Sequence, residues 1–279
     1  MSSNSGKLWI VATPLGNPGD FSPRARDAVA NADMVLAEDT RRSGILLKAC
    51  GITAKRFTSL HDHNEAARIP SLVKELQDGA VAALVSDAGT PAISDPGFLL
   101  VRACREAGID VSPIPGPSAP VAALAASGFP PLPFVFLGFA PRGEGDIRKW
   151  FTPFASLPAT LIFFERKDRL TSTLALAREI LGSRAVCIAR ELTKTYEEFI
   201  YFDLADPMPE RELLGELTIL LAPPRERRCS EQDVLSRIRA CKEECPAGKP
   251  KDIARLVHEI VSGWNVKDIY ALMQKQASP

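Results

Sequence analysis

Residues 81–97 concentrate the side-chain types that bind a small polar ligand. Asp87, Gly89, Thr90, Pro91, Asp95, Pro96 and Gly97 follow one another in a stretch too rich in turn formers for helix or strand. Two carboxylates, exposed backbone amides and rigid prolines suit recognition of a charged or hydroxylated small molecule. The apolar run 81–85 before this loop reads as a strand buried on both faces. Residues 98–108 after it have helical spacing and a glycine stop. Strand, loop and helix in that order put the loop at the carboxyl edge of a sheet, where open α/β folds bind their ligands. The loop is longer than a plain connection of this type requires.

The elements that position these residues alternate regularly. Strands are expected at 7–13, 34–37, 56–60, 81–85 and 111–114. Helices between them are expected at 23–32, with Ser22 as N-cap and Pro23 at its first position, then through 46–50, 68–77, 98–108 and 120–127. This alternation predicts a mostly parallel sheet covered on both faces. Residues 129–133 hold three prolines and read as a stiff linker. Beyond it, strands are expected at 134–139, 160–164, 185–189, 197–202 and 217–222, with helices at about 148–155, 168–181 and 209–214. After Pro223-Pro224 come three amphipathic helices, 231–244, 251–262 and 266–276. The last two are joined by Gly263-Trp264-Asn265, a turn compatible with a helix-turn-helix arrangement. The expected domains are therefore 1–130 and 131–224, both α/β, and a helical extension, 225–279.

Composition narrows the class. At 279 residues the chain exceeds what one core commonly supports. Its 34 basic and 34 acidic residues balance, so no global charge points to nucleic acid. From Pro223 onward, however, there are 11 Lys/Arg against 8 Asp/Glu, with Arg225, Arg227 and Arg228 at the entry. No apolar run approaches the ~20 residues of a membrane helix, and the N-terminus lacks a signal-peptide core, which predicts a cytoplasmic chain without a membrane partner. The six cysteines form no C-x-x-C pair and are expected to be buried, reduced thiols. His61 and His63 flank Asp62, but on an extended segment they would face opposite ways, so no metal site is expected. The glycine-rich dinucleotide and phosphate loops and the serine-hydrolase elbow are absent.

Six motifs occur in a fixed order. The first three are Thr13-Pro14-Leu15-Gly16-Asn17 with Asp20, Ala37-Glu38-Asp39-Thr40-Arg41, and His61-Asp62-His63-Asn64-Glu65. The others are Ser86-Asp87-Ala88-Gly89-Thr90-Pro91 with Ser94-Asp95-Pro96-Gly97, Pro115-Gly116-Pro117-Ser118-Ala119, and Ala189-Arg190-Glu191-Leu192-Thr193-Lys194. Together they resemble the ribosomal RNA small subunit methyltransferase I branch of the tetrapyrrole-methylase superfamily, over about residues 8–274. The chain departs from that pattern at Pro18-Gly19, at Phe21-Ser22, at Lys167-Asp168, where a His-bearing dipeptide is usual, and at Pro223-Pro224. Phe164-Glu165, Arg169 and Gly215-Glu216 follow it.

The resemblance implies two α/β domains of the tetrapyrrole-methylase type with S-adenosylmethionine between them, and a homodimer. It implies 2′-O-methylation of a cytidine in the decoding centre of 16S rRNA in the 30S subunit. By carry-over, Leu15, Ala88, Gly89, Thr90, Ser118, Ala119, Phe164, Arg190 and Gly215 line the cofactor pocket, with Asp87 at its edge. Methyl transfer to a hydroxyl gains from a nearby base, or from a cation that stabilises the developing alkoxide. The strand-end candidates are Glu38, Asp39, Arg41, His61, Asp62 and Lys194; Asp39 and Arg41 fit a structural ion pair equally well. Two other readings compete: a methyltransferase of corrin or sirohaem type, and a non-catalytic ribosome-assembly factor. The helical tail, expected to dock RNA, argues against the first, and the intact Asp87 loop argues against the second.

Overall fold

The computed structural model describes residues 6–209, 213–225, 229–246 and 248–277. They form two compact units, Met1–Pro224 and Arg225–Pro279. The first unit contains two five-stranded sheets. Strands β1 (Lys7–Val11), β2 (Met34–Ala37), β3 (Phe57–Ser59), β4 (Val81–Val85) and β5 (Asp110–Ile114) run parallel in the order β3-β2-β4-β1-β5. Helices α1 (Pro23–Asn31) and α2 (Thr40–Ala49) join Val35, Ala83 and Val85 in a core that includes Ala25, Val29 and Leu47. Helices α3 (Glu65–Gln77) and α4 (Phe98–Glu106) join Met34, Leu36 and Leu84 in another, with Leu72, Leu76, Leu100 and Cys104. Neighbouring strand residues thus feed opposite faces, which is why these strands read as unbroken apolar runs.

Helix α5 (Ala119–Ser127) leaves the first sheet and packs on the second. Its Ala123 and Leu124 lie against Ile162, Cys187, Ala189 and Leu220. The second sheet has the order β6-β7-β10-β8-β9, from β6 (Phe134–Phe139), β7 (Thr160–Glu165), β8 (Ala185–Arg190), β9 (Glu198–Asp203) and β10 (Leu217–Leu221). Only β6 and β7 pair in parallel; the other pairs are antiparallel. The remaining core of this sheet is closed by α6 (Glu144–Phe151) and α7 (Lys167–Leu181) through Ile147, Phe151, Leu170, Leu174 and Ala177. The second unit packs α8 (Glu231–Glu244), α9 (Pro250–Ile260) and α10 (Val266–Ala277) around Val234, Ile238, Val257 and Ile269. Ser230 and Asp233 close a capping box at the start of α8. No helix among the described residues is long and apolar enough to cross a membrane.

Several expectations need correction. Helix α2 begins at Thr40, well before its apolar periodicity, because the Asp39 side chain accepts from the amides of Arg41 and Arg42. Helix α3 begins at Glu65, with Pro70 inside it. His61 and His63 occupy a turn, not an extended segment: Asn64 Oδ1 accepts from the His61 amide, and the two rings lie 6.0 Å apart. The helix expected at about 209–214 falls largely outside the described residues, and residues 209, 213 and 214 are not helical. Cys245 is exposed and Cys229 half-buried, so burial of the thiols is not general.

One buried carboxylate ties the ligand loop's far end to helix α3. Gly97, which precedes α4, has φ +123°, and a Cβ there would meet Leu84 Cδ2 at 2.5 Å. A glycine offers no side chain to cap the helix it opens. Glu65 supplies the cap from α3: it is 4% exposed, and its Oε1 accepts from the Leu100 amide at 2.9 Å. Surface pairs such as Arg102–Glu106 stabilise by less than ~1 kcal/mol each. Removing Glu65 strands a buried amide, which costs about 1–3 kcal/mol. Urea unfolding should therefore show Glu65→Ala losing about 1–3 kcal/mol, with Glu106→Ala losing under ~1. Equal effects of the two substitutions would refute the cap.

Candidate active site

The carboxyl ends of β1, β2, β4 and β5 open onto a cavity of about 560 Å³. That is the size range of small-molecule sites, roughly 300–1,000 Å³. The first sheet contributes Leu15, Glu38, Arg42, residues 87–90 and 93–95, and residues 118–120 at the start of α5. The second contributes Phe139, residues 164–168, Ala189, Leu192 and residues 215–218.

Backbone pairing sets the floor. Thr13 and Gly89 exchange amide–carbonyl bonds of 2.8 and 3.1 Å, and Thr13 Oγ1 donates to the Ser86 carbonyl. Gly89 holds φ +81°, and a Cβ there would stand 3.2 Å from Leu15 Cδ2. Thr90 Oγ1 donates to the Pro117 carbonyl at 3.1 Å, locking the β4 loop to the β5 loop. Ala92 and Ser94 both hold φ +65°. Left-handed backbone at non-glycine residues costs about 1–3 kcal/mol each and persists where the surroundings enforce it.

Carboxylates crowd the first-sheet side. Burial, then the charge of Glu38 and those of Asp87 and Asp62, raise Asp95 to about 7 against an opposing hydrogen bond from Ser86. Partial burial, and then Asp87 and Asp62, also raise Glu38. Asp87 Oδ2 pairs with Arg42 at 3.1 Å, while its Oδ1 is buried with no hydrogen-bond partner among the described residues. Across the cavity, Glu165 is satisfied: it accepts from Arg169 and Thr173, and Arg169 also reaches the Ala140 carbonyl. A site with aromatic walls, a spare carboxylate oxygen and crowded acids suits a flat-ringed ligand that carries positive charge.

Leu15, Asp87, Ala88, Gly89, Thr90, Ser118, Ala119, Phe164 and Gly215 all line this cavity. Arg190 does not; its guanidinium is held by Glu198 and by the Leu214 carbonyl. Of the catalytic candidates only Glu38 lines it. Asp39 caps α2, and the amides of Arg41 and Arg42 hold its carboxyl below the usual range. Arg41 is exposed and lies outside the lining. Lys194 Nζ is bound by Glu191 at 2.9 Å and Glu216 at 3.1 Å. Burial opposes that ammonium, but the two carboxylates outweigh it and raise its pKa, which removes it as a base. Its stem presses on Gly16, where a Cβ would stand 2.2 Å from Lys194 Cγ, and Thr193 Oγ1 accepts from the Asn17 amide. The 191–194 turn is thus a latch onto the β1 loop. His61 and Asp62 lie outside the lining, Asp62 acting only through its charge on Glu38 and Asp95. Arg42 and Phe139 join the site without a sequence signal that singles them out. Asp95 lies within the ligand loop, but nothing in the residue order puts it beside Glu38.

The chain is similar to known proteins in sequence and in fold. Residues 7–207 match the family described as Tetrapyrrole (Corrin/Porphyrin) Methylases. Among curated proteins, ribosomal RNA small subunit methyltransferase I of Escherichia coli O157:H7 is 41% identical over 92% of this chain and 87% of its own length. That of Xylella fastidiosa is 43% identical over 92% and 96%. That of Pasteurella multocida is 48% identical over 77% and 76%. Among solved structures, the methyltransferase CobJ matches with a TM-score of 0.61 and 21% identity, over 81% of this chain and 98% of that one. Uroporphyrin-III-C-methyltransferase from Thermus thermophilus gives 0.53 and 20%, over 78% and 94%. At that identity the structural likeness establishes the fold. The chain therefore belongs to the tetrapyrrole methylase family of S-adenosylmethionine-dependent methyltransferases, and within it to the ribosomal RNA small subunit methyltransferase I family.

Proposed function

We propose that the protein methylates the ribose 2′-hydroxyl of a cytidine in the decoding centre of 16S rRNA. The relatives' names support small-subunit ribosomal RNA as the substrate, and the nucleotide and its position rest on the motif resemblance. The observation that carries the chemistry is Asp95, a cavity carboxylate raised to about 7 by burial and by Glu38. A hydroxyl acceptor needs a base that is free of its proton near neutrality yet strong enough to take another. Asp95 meets both conditions, whereas Lys194 stays protonated.

S-adenosylmethionine supplies an electrophilic methyl group on a sulfur that leaves uncharged. The residues present fit that ligand: Asp87 Oδ1 is a buried acceptor with no partner among the described residues, and the Glu38–Asp87–Asp95 side favours a cation. Gly89, Ala119, Phe164 and Gly215 would hold it by close backbone approach and apolar contact. The chain's main task is alignment, which can lower such a barrier by about 7–11 kcal/mol. Phe139 and Phe164, with rings 5.0 Å apart, give the second-sheet side an aromatic face for the ligand. Asp95 takes the hydroxyl proton on its carboxylate.

Four outcomes follow from this reading. Gly89→Val places a β-branched side chain at φ +81° against Leu15; calorimetry should find S-adenosylmethionine binding abolished while circular dichroism is unchanged, and intact affinity would overturn the assignment. Methyl transfer should rise with pH through about 7 as Asp95 ionises, and Asp95→Asn should lose that inflection and about 10²-fold or more in rate. The stability effect has the opposite sign. A raised carboxyl favours the folded state at low pH and penalises it above the folded pKa, so Asp95→Asn should raise the urea midpoint more at pH 8 than at pH 4. Finally, the helical unit 225–279 carries the basic excess and should dock the RNA. A chain ending at Pro224 should bind S-adenosylmethionine normally yet lose methylation of 30S particles; full activity would sink this role.

A further inference from the structure

An acceptor 2′-hydroxyl cannot enter the cavity alone, because the same ribose carries a 3′-phosphodiester one carbon away. The wall it must approach is acidic, with Glu38, Asp87 and Asp95 together. Like charge at that distance repels the substrate unless cations stand at the mouth. The lining holds three in that place. Arg42, in the first turn of α2, comes from the first-sheet side, and Arg166 and Lys167, at the start of α7, come from the second-sheet side.

We infer that Arg42, Arg166 and Lys167 form a two-sided clamp for the phosphates flanking the methylated ribose, an inference that rests on the RNA-methylating function proposed above. Their side chains line the cavity yet remain open to solvent: Arg42 is 74% and Arg166 73% exposed. Each guanidinium uses one nitrogen within the protein, Arg42 Nη1 on Asp87 and Arg166 Nε on Asp168. The other nitrogens have no partner among the described residues, and neither does the Lys167 ammonium. Such exposed pairs stabilise a fold by under ~1 kcal/mol, so structure alone gives them little to do. The other charges at this mouth are already matched, Glu216 by Lys194 and Glu165 by Arg169. The acid in the first turn of α7, Asp168, is taken up by Arg166 Nε, which leaves the other guanidinium nitrogens of Arg166 and the Lys167 ammonium to face an anion. Acid inside and base at the rim thus sort the two halves of the reaction, a cationic donor in the cavity and an anionic backbone across its opening.

The test uses the full-length protein and 30S particles. The double variant Arg166→Gln/Lys167→Gln should raise the KM for 30S about tenfold or more and leave kcat within about twofold of wild type. The dependence of log affinity on log salt should become shallower by about 0.7 for each phosphate that is no longer neutralised. Calorimetry should give the same affinity for S-adenosylmethionine as wild type, and adding Arg42→Gln should raise the KM further. If wild type itself transfers no methyl to 30S RNA, the proposed function fails. If wild type is active and the variants keep its KM and salt slope, the clamp fails. Weakened S-adenosylmethionine binding at an unchanged salt slope would assign the cations to the donor's carboxylate instead, and overturns the clamp as well.

Discussion

The double backbone bond between Thr13 and Gly89 holds the β1 and β4 loops together, and every other feature of the cavity is built outward from it. Two adjacent parallel strands diverge at their ends unless something joins the loops that leave them. Here an isolated antiparallel bridge does so, and it forms only because Gly89 can hold φ +81°. With that bridge made, Ser86, Ala88 and Thr90 have fixed directions. Thr90 then captures the Pro117 carbonyl and brings the β5 loop into the same wall. The far end of the loop is fixed independently, by Gly97 against Leu84 and by Glu65 on the start of α4. Between these two anchors the chain holds left-handed turns at Ala92 and Ser94, and Asp95 is delivered to Glu38.

The opposite wall depends on α5. Its small residues, Ala123 among them, let it lie flat on the second sheet against Ile162, Cys187 and Leu220. Its N-terminal residues 118–120 still line the cavity that the first sheet opens. One nine-residue helix therefore belongs to both walls. The 191–194 turn and the Gly16 loop close a further edge, at the expense of positive φ at Glu191 and Thr193. Concentrating strain around the ligand space is consistent with a preorganised site, because alignment is the task of a methyl-transfer enzyme.

Charge is arranged with the same economy. Carboxylates that could have been neutralised inside the cavity are left crowded, so Asp95 retains its proton up to about pH 7. Carboxylates whose work is structural are matched: Glu165 by Arg169 and Thr173, Glu191 by Lys194, Glu65 by a helix amide. Whether a carboxylate is paired or left crowded separates the structural acids from the chemical ones more sharply than residue type does.

Much of this was legible in the residue order. Strand, ligand loop and helix around Asp87 follow from local rules, since apolar runs, glycines and prolines act over a few residues. Ser22 and Pro23 start α1 as their types require, and nine of the ten residues that the family resemblance implies for the cofactor line one cavity. What the sequence left open were the partners of charged side chains. Asp39, Arg41 and Lys194 have the chemistry of a catalytic group, yet one is a helix cap, one is exposed outside the lining and one is a latch. The residue order puts Asp95 in the ligand loop, but its raised basicity arises only when folding brings Glu38, more than fifty positions away, to its side. Local conformation is decided by neighbours in the chain and so can be read from them. A carboxylate's basicity is decided by burial and by the charges that the fold packs around it, and only the tertiary structure holds that information.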